Sequence, residues 1–137
     1  MRKYLNQLEK VLIEGTNQTD RTGVGTKSIF GLQERYKMSE GFPAVTTKKL
    51  AWKVMASELL WFISGSSNLK DLKAIYPENR IWDANYEDYS KRTRKNLDGD
   101  MGRIYGCQWR NWVTAEGKIV DQLQDAIDLL RKNPDSR

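Results

Sequence analysis

The chain's hydrophobic positions change period several times, and each change marks a predicted element. Tyr4, Leu5, Leu8, Val11 and Leu12 recur at helical spacing, which predicts a first helix, and Gly15 follows where a left-handed cap would sit. Residues 16–26, "TNQTDRTGVGT", have no bulky apolar residue but Val24 and form a predicted loop. Beyond it, Phe30, Leu32, Tyr36 and Met38 alternate with Ile29, Gln33, Arg35 and Lys37; the period of two predicts a long half-buried strand, closed by Gly41 and Pro43.

Residues 50–65, "LAWKVMASELLWFISG", are apolar on nearly all sides, with Trp52, Met55, Leu59 and Phe62 on one stripe and Leu60 and Trp61 on another. Such a helix belongs in an interior, so a buried central helix is expected. Asn68 with Asp71 resembles a cap for a short helix through Ile75. Residues 84–103 are charged and loop-like, and Val120, Leu123, Ile127 and Leu130 mark an amphipathic helix that Pro134 ends. Helices around at least one strand predict an α+β fold class. A lone strand makes no sheet, so the chain looks like part of a larger unit.

Composition narrows the chemistry. A length of 137 residues suits one domain that removes roughly two thirds of its unfolded surface from water. With 39% apolar and 30% charged residues, and no apolar run near the roughly 20 residues of a membrane helix, neither a spanning segment nor a secretory signal is expected. One cysteine excludes an internal disulfide, and the lack of histidine removes the commonest metal ligand and every Ser-His or Cys-His mechanism. A cytoplasmic, metal-free protein is the expectation. The net charge of +5 favours anionic partners, from a nucleotide phosphate to RNA.

Within that frame a few stretches could carry chemistry. In "DRTGVGT", residues 20–26, Arg21 offers a guanidinium fork and the glycines let backbone N–H groups approach an anion, although a plain turn fits equally. Glu58 lies in the apolar helix with no basic residue at 54, 55, 61 or 62. A desolvated carboxylate holds its proton more tightly, which suits a proton carrier; a solvent-facing side chain or a distant arginine partner is the alternative. "IWDANY", residues 81–86, and "IYGCQWRNW", residues 104–112, set aromatic residues beside polar ones, as a site stacking a flat heterocycle would, or as a core would. The run "KRTRK", residues 91–95, fits either nucleic acid or a solvated face.

In this order, "DRTGVGT", "GFPAVTTKKLAW", "SELLWFISGSSN", "IWDANY", "IYGCQWRNW" and "VDQLQDAIDLLRKNPDSR" resemble the N-terminal half of the thymidylate synthases. The resemblance covers nearly the whole chain as one domain, with residues 87–100 as a charged loop insertion. It implies a mixed β-sheet packed with helices, an obligate dimer, and a methyltransferase reaction converting dUMP to dTMP with 5,10-methylenetetrahydrofolate as one-carbon donor and reductant. By the same resemblance Arg21 holds the nucleotide phosphate, and Arg137 reaches across the dimer to the phosphate of the second subunit. Glu58 assists proton transfer, Ile81 and Trp82 form the wall for the folate ring with Asp83 beside them, Tyr105 helps remove the pyrimidine C5 proton, and Lys48 lies near the folate tail.

Three departures qualify it. Asn85 stands where some members carry a second Trp, and Arg103 where the family has Pro in a "GPxYG" turn. The Pro-Cys-His motif of the family's nucleophile is absent from these residues. Attack on the pyrimidine needs an aligned thiolate, so residues 1–137 alone are expected to be inactive and to need the C-terminal half. Cys107 has no histidine to activate it and is expected to be structural. Two other readings remain: a segment of a deoxynucleotide hydroxymethylase, or a non-catalytic relative that binds nucleotide, folate or RNA.

Overall fold

The computed structural model describes residues 2–21, 23–94 and 97–136. The chain falls into two compact units, Met1–Leu50 and Ala51–Arg137.

The first unit opens with helix α1, Arg2–Glu14, as the periodicity predicts. Gly15 ends it, though with no left-handed backbone: an added Cβ would lie 2.2 Å from the Val11 carbonyl oxygen, so close approach and not a positive φ demands glycine. Part of the predicted loop is a strand, since β1, Thr16–Gln18, pairs antiparallel with β2, Thr26–Ser28.

The long strand expected around Phe30 to Met38 does not form. The Gly31 N–H bonds back to the Ile29 carbonyl at 2.9 Å and Gly31 takes φ +82°, a tight turn that ends the extended run. Beyond Ser28 no strand among the described residues lies alongside to accept its N–H groups, and alternation without a partner ladder yields no strand. A 3-10 turn at Met38–Glu40 follows, where Gly41 leaves it with φ +105°.

The second unit holds the core. Helix α2, Trp52–Ile63, buries only Ser57 and Trp61; Leu59 and Leu60 remain about half exposed, so the predicted fully buried helix is buried along one edge. The Asn68 side chain accepts from the Lys70 N–H and starts α3, Leu69–Ile75, whereas Asp71 accepts from the Ser66 hydroxyl instead of completing a capping box. The stretch expected to be loop from 84 begins instead with helix α4, Asp83–Thr93. Its ion pairs Glu87–Lys91 and Asp88–Arg92 join adjacent turns, which is how so polar a sequence supports a helix.

Residues 97–101 return to α3. The Leu69 N–H bonds to the Gly99 carbonyl, the Met101 N–H to the Ser67 carbonyl, and the Gly99 N–H to the Tyr86 hydroxyl. Helix α5, Tyr105–Arg110, leads into a hairpin of β3, Trp112–Val113, and β4, Ile119–Val120, and α6, Gln122–Lys132, follows with Asp121 as its cap. Trp61, Leu69, Leu72 and Met101 form the core, with Phe62, Trp82, Tyr86 and Ile104 packed against it. The fold class is α+β, and the strands among the described residues form two antiparallel pairs.

Candidate functional site

The site grows from the crossing of α2 and α5. Two glycines let the backbones approach: a Cβ on Gly106 would lie 2.6 Å from the Ser66 carbonyl oxygen and 3.1 Å from that of Phe62, and one on Gly65 would lie 2.9 Å from the Arg110 Cβ. Cys107 sits in this crossing with its Sγ 3.6 Å from the Gly65 carbonyl, a packing position. Arg103, where proline was expected, donates to the Asn111 carbonyl at 2.8 Å and so ties the entry of α5 to its exit.

This crossing brings Phe62 of α2 against Tyr105 of α5, ring centroids 5.1 Å apart. Trp82, at the start of α4, closes the group at 6.1 Å from each of them, and Trp109 packs edge-on to Phe62 at 5.6 Å. The tilted and edge-to-face geometries are those that aromatic quadrupoles favour. Tyr105 remains 54% exposed, so the cluster has an open side.

Glu58, one turn before Phe62, carries the polar chemistry. Its Oε1 accepts a hydrogen bond from the Trp82 indole N–H at 2.7 Å, a short distance that fits a charge-assisted bond. An indole N–H therefore stands where a distant arginine was the alternative.

The backbone before Trp82 is fastened to α2 by Asn79, which is fully buried. Its Nδ2 donates to the Val54 carbonyl at 3.1 Å and to the Ser57 hydroxyl at 2.8 Å, and its Oδ1 accepts from the Ile81 N–H at 3.1 Å. Asp83 turns away from the cluster: its carboxylate pairs with Lys73 at 2.6 Å, and the same ammonium donates to the Asn79 main-chain oxygen.

A family model described as "Thymidylate synthase" matches residues 2–137. The chain belongs to the thymidylate synthase family. This is a family of methyltransferase-type enzymes of dTMP biosynthesis. Of the residues the family resemblance singles out, Glu58, Trp82 and Tyr105 come together around Phe62, and Ile81 precedes Trp82 in the chain. Asp83 is adjacent in sequence but engaged by Lys73.

Arg21 and Lys48 belong to the first unit and are exposed. The glycines of the Arg21 loop do not present their N–H groups to an anion. The Gly23 N–H bonds to the Asp20 carbonyl and the Gly25 N–H to the Asp20 carboxylate, both at 3.3 Å. Positive φ values of 76° and 81° at those residues explain the glycines as turn formers. Arg137 lies outside the described residues.

In the basic run 91–95, Lys91 and Arg92 each face a helix carboxylate, and Lys95 lies outside the described residues. Among the described residues no cluster of metal-ligating side chains occurs, and no helix is long and apolar enough to cross a membrane.

Sequence reasoning missed Phe62 as the hub, because it is one apolar residue among many in "SELLWFISG". It also missed Asn79, whose only signal is a polar residue two positions before Ile81.

Proposed function

We propose that these residues form part of the folate and pyrimidine site of a thymidylate synthase, converting dUMP to dTMP with methylenetetrahydrofolate. The observation that carries this reading is Glu58 held by Trp82 beside Phe62 and Tyr105. The half-exposed Tyr105 beside the Trp82 ring supplies an open aromatic surface, which fits a flat heterocycle. The folate supplies the one-carbon unit and the reducing hydride.

The Glu58 carboxylate holds or passes a proton, and the indole N–H keeps it aimed at the cluster. Tyr105, whose ring belongs to the same cluster, assists removal of the pyrimidine C5 proton. Arg21 takes the phosphate through its guanidinium fork, Arg137 serves the phosphate of a second subunit, and Lys48 serves the folate tail. The thiol nucleophile comes from outside these residues, so a polypeptide of residues 1–137 alone forms no dTMP, and its partners are dUMP, folate and either a second copy or the C-terminal half.

Supplying a thymidylate synthase C-terminal half, in trans or by fusion, tests this. The expected result is dTMP from dUMP and methylenetetrahydrofolate. A mixture shown to assemble that makes no dTMP, beside an active fused control, contradicts a split arrangement; an inactive fusion that folds contradicts the synthase reading.

A further inference from the structure

We infer that Asn79 is a positioning residue: its buried amide sets the Trp82 indole against Glu58. Asn79 is 0% exposed, and both of its amide hydrogens and its carbonyl oxygen are engaged. The two donors reach one turn of α2, at Val54 and Ser57, while the acceptor holds Ile81, the residue before Trp82. Glu58 follows Ser57 directly on that turn. One side chain thus spans the two segments whose separation decides whether the 2.7 Å indole–carboxylate bond exists.

The amide orientation is dictated by its neighbours. Val54 presents a carbonyl, which also takes the Ser57 hydroxyl and can face only a donor; Ile81 presents an N–H, which can face only an acceptor. Aspartate would turn a carboxylate oxygen toward the Val54 carbonyl, and leucine would satisfy neither. A second clamp lies on the other side of Trp82. Lys73 of α3 holds both the Asn79 main-chain oxygen and the Asp83 carboxylate, so the segment 79–83 is fixed to two helices. The hydrogen bonds of the Asn79 amide go to Val54, Ser57 and Ile81, so it acts on the Glu58 bond through Trp82.

The catalytic meaning of this placement rests on the proposed role of Glu58 and Trp82, but the placement itself is readable in the free chain. Indole N–H resonances of the 15N-labelled 137-residue chain report it directly. Trp82→Phe identifies the Trp82 peak, and Glu58→Ala marks its position without the acceptor. Asn79→Ala is expected to move the Trp82 peak most of the way to that position, while the Trp112 peak on the hairpin stays in place. Ser57→Ala, which removes one acceptor of the Asn79 amide, is expected to move it the same way by a smaller amount.

A Trp82 peak that stays put in both variants overturns the inference. So does an Asn79→Ala spectrum in which all indole peaks shift alike while Ser57→Ala leaves Trp82 unmoved. If Asn79→Ala fails to fold, Ser57→Ala alone decides, a shift supporting and no shift overturning. Peaks that move as expected in a chain that makes no dTMP when fused to a thymidylate synthase C-terminal half would leave the positioning intact and remove the proposed function.

Discussion

The two units carry similar apolar patterning and use it differently. In the second, Trp61 and Leu72 are fully buried and hold the aromatic cluster in place. In the first, none of the described residues is buried: Leu12 is 66%, Val24 87% and Phe30 107% exposed. Patterning states which face of an element is apolar, whereas burial needs a second surface that fits it. Glu58, Trp82 and Tyr105 sit on the unit with a core, and Arg21 and Lys48 on the unit without one.

The largest expected effect sharpens that contrast. Trp61→Ala should cost about 3–5 kcal/mol in urea unfolding followed by near-UV circular dichroism, because it empties the middle of the core. Phe30→Ala should change stability by no more than about 0.5 kcal/mol, as an exposed ring has little burial to lose. Comparable losses in both variants would break the comparison.

Glycines extend it. Gly106→Ala should cost roughly 1–3 kcal/mol, since its Cβ would meet two backbone oxygens that cannot yield without moving α2. Gly31→Ala has open space around it and should lose only the left-handed strain, roughly 1–2 kcal/mol, with no effect on the second unit. The decisive readout is near-UV dichroism of the native proteins: a changed aromatic signal for Gly106→Ala and an unchanged one for Gly31→Ala.

A smaller loss, about 1 kcal/mol, is expected for Asn68→Ala by thermal melting, because the cap it gives the Lys70 N–H disappears. Smallest is a pH effect. The Tyr76 phenol donates to Glu78 at 2.7 Å, and that bond, some desolvation and the carboxylate charge raise its pKa above the usual 10.0. A raised folded value means that the contribution is fully present below about pH 10 and fades as pH climbs through the raised value. Glu78→Gln should return the tyrosinate absorbance transition toward its ordinary position; an unchanged transition would show that the pair exerts no hold.

Helices with an apolar stripe were legible in the sequence, since α1, α2 and α6 each repeat on one face. Helix α4 was not, because its stripe reduces to Tyr86 and Tyr89 amid charge, and its support comes from ion pairs between turns. The strand through Phe30 was over-read for the opposite reason: alternation is local, and a ladder is not. In the site, Glu58 stood out as a carboxylate in an apolar helix. That it would meet Trp82, 24 residues away, was not legible in the sequence, since nothing in the local pattern joins the two. Asn79 was invisible because its three partners lie on two separate segments.

The most direct test of the account is dTMP formation by residues 1–137 joined with a thymidylate synthase C-terminal half, compared between the native chain and Glu58→Gln. Product is expected from the native pair, with a loss on the order of 10²-fold or more in Glu58→Gln. An assembled Glu58→Gln pair that turns over as fast as the native one would contradict it.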